Sequence, residues 1–194
     1  MKLLREYIRE LLVEAPPTTR KTIDDLPEGV VVEIEDYGYR TDFNLSSSYD
    51  KERNHKPYGV ISIQEPDDVG ACGGAWVIAM VAADQGWGPF LYDIAMEWAT
   101  MNHNGLTSDR DEVSAPARKV WNYYLTQRAG SGGDVVAHQL DDENADTEES
   151  CVQTLPREFE GDDYWKDSPL SKRYTKSPPT TIDALKLAKK WDER

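Results

Sequence analysis

Apolar and polar positions change period several times along this chain. Within residues 1–15, Leu3, Leu4, Tyr7, Ile8, Leu11 and Leu12 fall on one stripe at helical spacing, with charged residues opposite. The spacing predicts an N-terminal amphipathic helix, ended by Pro16 and Pro17. Residues 16–28 read as a linker. A two-residue alternation then predicts strands at 29–36, 38–45 and 58–64. Residues 74–83 are an almost unbroken apolar run, which predicts a central strand buried on both faces. Asp84 to Pro89 interrupts it, and Pro89 suits the first turn of a helix over 89–101. A short strand at 105–107 follows. Ser114 is a good N-cap for a helix over 115–128. Further on come a strand near 135–140, an edge strand around 170–176, and a last helix from the Pro178-Pro179-Thr180-Thr181 cap to about Trp191.

These elements predict an α/β (α+β) chain with one core at 29–140. Residues 141–194 read as an acidic loop, 141–163, followed by a C-terminal helical extension. The length of 194 residues suits one substantial core. Apolar content of 39% and charged content of 30% fit a packed centre with solvated extensions.

The net charge of -14 changes the list of partners. Nucleic acid and anionic membranes are repelled, whereas a basic acceptor, such as a lysine-bearing protein or a polyamine, is attracted. No stretch has the length of a membrane span. Lys2, Arg5, Glu6, Arg9 and Glu10 interrupt any signal-peptide core. The N-terminal helix is expected to dock on its own domain or on a protein partner. Cys72 and Cys151 lie far apart, and His55, His103 and His138 are scattered without metal-ligand spacing. Both cysteines are therefore read as free thiols in a reducing compartment, with no metal and a cytoplasmic location.

The chemistry concentrates where the apolar run ends. A buried strand running through Gly86-Trp87-Gly88 into a helix presents free backbone amides at the helix start. Such amides suit phosphate, and glycine lets a ligand approach the backbone. Trp87, lying in the turn, is the tryptophan expected to touch a ligand.

Strand, Gly-x-Gly turn, helix, short strand and aromatic helix, in this order over about 58–128, resemble the acetyl-CoA-binding core of the GNAT N-acetyltransferase superfamily. The matching residues are Ala83-Asp84-Gln85-Gly86-Trp87-Gly88 at the loop, Leu106 to Ser108 at the short strand, and Ala117 to Tyr124 at the aromatic helix. Ala83 stands where the family has Arg or Gln, and no Lys or Arg occurs between Lys56 and Arg110. In style the chain also resembles a small phage-encoded protein, which would place it in host cytoplasm or virion.

The resemblance implies a mixed, mainly antiparallel sheet with flanking helices, in which the central strand splays from a parallel neighbour. It implies acetyl-CoA as cosubstrate and an amine as acceptor. Val81, Ala83, Gln85, Gly86, Trp87, Gly88 and Arg118 are then the cofactor-binding positions, with a backbone amide around 81–83 facing the developing oxyanion. Glu65 is the candidate base, and Tyr124 or Tyr123 the acid for the departing thiolate. The alternative on the same scaffold is a non-catalytic binding or phage structural protein.

Overall fold

The computed structural model describes residues 20–47, 56–66, 71–109, 113–130, 133–140 and 164–193. The expected N-terminal helix, the acidic stretch 141–163 and Cys151 lie outside them. The strands are β1 Val31–Asp36, β2 Arg40–Ser46, β3 Gly59–Gln64, β4 Trp76–Ala83, β5 Leu106–Thr107, β6 Val135–Gln139, β7 Lys172–Lys176 and β8 Trp191–Glu193. Helices α1 Gly88–Asn102, α2 Ala115–Tyr123 and α3 Thr180–Leu187 accompany them. The fold is mixed α/β, with an eight-stranded sheet in the order β6-β7-β5-β4-β3-β2-β1-β8. Two compact units divide the chain: residues 1–63, 79–95 and 180–194 form one, and 64–78 with 96–179 form the other.

In the first unit, β1 and β2 form an antiparallel hairpin in register from Val31 opposite Ser46 to Asp36 opposite Thr41. Alternation sorts the side chains as the sequence predicts. Val32, Ile34, Thr41, Phe43 and Leu45 are buried, while Glu33, Glu35, Asp42 and Asn44 are half-exposed. Strand β8 adds in parallel to β1, with Val32 opposite Trp191. It occupies the stretch where the last helix was expected to finish. That helix stops at Leu187, and Lys189 at φ 56° turns the chain into β8.

In the second unit, β5 pairs in parallel with the start of β4 through Trp76–Leu106 and Val77–Thr107. On its other side it pairs antiparallel with β7. Since β7 also pairs with β6, it is an inner strand and not the edge expected. Gly105, at φ 98°, leads into β5, and a Cβ there would stand 2.6 Å from the Tyr174 carbonyl oxygen. Only glycine fits. Trp121 stacks on Tyr174 at 5.0 Å, and Tyr124 closes the same aromatic core. Ser114 caps α2 as predicted, its hydroxyl accepting from the Ala117 amide at 3.3 Å. Past Tyr123 the helix widens into a π turn, Tyr124–Arg128.

Two expectations need correction. The apolar run of β4 is buried only over Trp76–Ile78. Ala79 is exposed, and Met80, Val81, Ala82 and Ala83 are half-exposed. The physical reason lies in the pairing, because β5 ends after two residues and leaves the rest of that edge of β4 without a strand. Cys72 is not a free thiol. It is disulfide-bonded, buried, and held at φ 62°, and the sequence has one other cysteine, Cys151. Distance along a sequence does not exclude a disulfide, since the fold decides which thiols meet. Among the described residues no helix is long and apolar enough to cross a membrane.

Candidate functional site

In the first unit, β4 runs from Ala79 to Ala83 into the turn Asp84–Trp87 and then α1. The Asp84 amide donates to the Tyr58 carbonyl at 2.8 Å, and the Trp87 amide to the Asp84 carbonyl at 3.1 Å, which closes the turn. Gly86 sits at φ 88°, a conformation that makes glycine the fitting residue. Gly88, which is not among the positive-φ glycines, opens the 15-residue α1, whose first turn carries no acidic residue. Val81 and Ala83 are half-exposed, Gln85 is exposed, and Gly86 and Gly88 are buried. Six of the positions expected to meet a cofactor thus form one continuous stretch.

Trp87 departs from expectation. Its ring is fully buried, where the sequence suggested contact with a ligand. It packs edge-on to Tyr58 at 6.5 Å and to Phe90 at 5.6 Å. Its Nε1 is buried and has no hydrogen-bond partner. An unsatisfied donor of this kind costs about 1–3 kcal/mol, so its occurrence beside a helix N-terminus calls for a reason.

Sequence reasoning missed the cations of this region. Arg20 and Lys21, in the assumed linker, lie against the turn. The Lys21 amide donates to the Gly86 carbonyl at 3.1 Å, and the Lys21 Nζ stands 4.8 Å from the centre of the Trp87 ring. Arg20 pairs with Asp93 of α1 at 3.0 Å. No motif announces these contacts; only the predicted lack of bases near the turn could have prompted a search elsewhere in the chain.

The remaining candidates fall in the second unit. Glu65 follows β3 and is exposed. Arg118 is half-buried on α2. Tyr123 is half-buried and Tyr124 fully buried, with their rings 5.7 Å apart. Arg128 stands 5.5 Å from the centre of the Tyr124 ring and chelates Asp134 at 2.7 and 2.5 Å. That guanidinium holds the Asp134 carboxyl below the ordinary carboxylate range. Asp134 also lies 3.8 Å from the ammonium of Lys176, which pairs with Glu97. Lys176 and Glu97 are both buried, at 2% and 0% side-chain exposure. Lys172 is buried likewise and donates to the Gln139 side chain and the Lys166 carbonyl. Among the described residues no group of acidic, His or Cys side chains is arranged to hold a metal ion.

No family model matches this sequence, and no curated protein or solved structure matches it.

Proposed function

We propose that this protein is an acetyl-CoA-dependent N-acetyltransferase of the GNAT type, acting on an amine acceptor of basic character. The observation that carries the reading is β4. It is an inner strand, pairs in parallel with β5 over two residues only, and continues half-exposed and apolar into a Gly-x-Gly turn and a long helix. A strand of this kind offers an apolar track for an extended thioester arm, with backbone amides left free of pairing beside it. The turn and the start of α1 offer amide donors and the positive end of a helix dipole to a pyrophosphate.

In the reaction, the acceptor amine attacks the thioester carbonyl, a C–N bond forms, and the C–S bond breaks. The amine proton goes to a base and the thiolate takes up a proton. Glu65 has the exposure a base requires, and Tyr123 is more accessible than Tyr124 for the acid. The net charge of -14 favours a cationic acceptor such as a lysine side chain or polyamine. The disulfide at Cys72 fits an oxidising compartment or a particle better than a reducing cytoplasm.

The second reading, a non-catalytic GNAT-like scaffold serving as a binding or phage structural protein, draws on the burial of Gly86, Trp87, Gly88 and Tyr124. One experiment separates the two. Calorimetric titration with acetyl-CoA, followed by thiol release in the presence of spermidine or lysine peptides, should give binding and turnover. Gly88→Glu places a carboxylate at the first residue of α1 and should abolish binding while the fold persists. Absence of heat at millimolar acetyl-CoA would leave the scaffold reading in its place.

A further inference from the structure

Around the turn the charges are unevenly settled. Arg20 has Asp93 at 3.0 Å. Lys21 is half-buried and makes no ion pair among the described residues, although the chain carries 36 acidic residues. Its ammonium is instead held 4.8 Å from the centre of the buried Trp87 ring, and its own backbone is pinned to the Gly86 carbonyl. A second donor in the same turn, the Trp87 Nε1, is likewise buried and without a partner. An unpaired cation and an unused N–H together, at the first turn of a 15-residue helix, form a donor set that lacks its acceptor.

We propose that Lys21 is the cation of this site and meets a phosphate group of the bound ligand, with Arg20 as a positioning residue that neutralises Asp93. This rests on the acetyl-CoA reading and adds to it the positive charge that residues 57–109 do not contain. Binding a phosphate there replaces the cation–ring contact with a charge-assisted hydrogen bond. Lys21 is thereby a binding residue supplied by a segment more than sixty positions upstream of the turn.

The test compares the full chain with Lys21→Met and Lys21→Arg, by calorimetry with acetyl-CoA and with inorganic pyrophosphate. Wild type should bind both. Lys21→Met should weaken each by about tenfold, and Lys21→Arg should restore most of the loss. The salt dependence of binding should also flatten in Lys21→Met, which a purely structural role would not produce. Melting curves for the variants check that the fold survives. Equal binding by wild type and a folded Lys21→Met overturns the assignment and leaves the acetyl-CoA reading standing. Failure of wild type to bind either probe removes both. Weakening that Lys21→Arg does not relieve, with an unchanged salt slope, also overturns it.

Discussion

Asp93 and Glu97 stand four residues apart on α1 and are treated in opposite ways. Asp93 pairs with Arg20, whose side chain keeps 30% of its exposure. Glu97 is sealed from water and pairs with Lys176, which is sealed too. Carboxylates at this spacing repel along a helix, so each needs its own cation, and both cations come from distant parts of the sequence. The comparison teaches that depth decides what an ion pair does. An exposed pair is screened and weak, so its residues remain available for binding. A buried pair tolerates no loss of either member, because the survivor keeps its desolvation cost.

The largest effect should therefore come from Lys176→Met. Leaving Glu97 charged and alone should cost about 3–5 kcal/mol, read as a lower midpoint in urea. The double variant Glu97→Leu with Lys176→Met sharpens the point. It should recover most of that loss, and a double variant as unstable as the single one would show the pair to be more than charge compensation. Gly86→Ala comes next. Its φ of 88° imposes about 1–2 kcal/mol of strain on any L side chain. Arg20→Gln should cost about 1 kcal/mol or less, since its partner contact is part-exposed. A loss like that of Lys176→Met would break the comparison.

Two pH effects follow at the smallest scale. Asp134 has a lowered pKa, chiefly from its hydrogen bonds to Arg128. Its contribution is present above the unfolded carboxylate value and is lost as pH falls through the lowered one. The stability gap between wild type and Asp134→Asn should close over that acidic window. His138 has a lowered pKa because of burial and the neighbouring Arg173 charge. The unfolded chain then binds more protons just below the ordinary histidine value, so stability falls with falling pH there. His138→Gln should flatten that part of a denaturation-versus-pH curve.

Much of the fold was legible because its elements obey simple periods. The run ending at Ala83, the helix opened next to Pro89, and the Ser114 cap all lie within a residue or two of expectation at those ends. Strand β7 shows where the pattern misleads. In Lys-Arg-Tyr-Thr-Lys the lysines point inward with Tyr174, and Arg173 and Thr175 are the half-exposed ones. Alternation was present, yet the usual rule that lysine marks the outer face fails when Gln139 and Glu97 wait inside. That substitution of paired charge for apolar contact made an inner strand read as an edge. At the candidate site the turn itself was legible, being local. Lys21, Arg20 and the Cys72 disulfide were not, because nothing in a linear pattern reveals which distant segments return to one place.

The π turn at Tyr124–Arg128 bears on insertions and deletions. Its closing bond, from the Ala129 amide to the Tyr124 carbonyl at 2.8 Å, spans five residues instead of four. The helix therefore carries one surplus residue. Removing any one of Leu125, Thr126 or Gln127 would let the segment relax to an ordinary α-helix, and each residue step rotates a helix by about 100°. Arg128 would swing away from Asp134, although no residue of the contact had been altered. Length, more than residue identity, is what this stretch of the chain has to preserve.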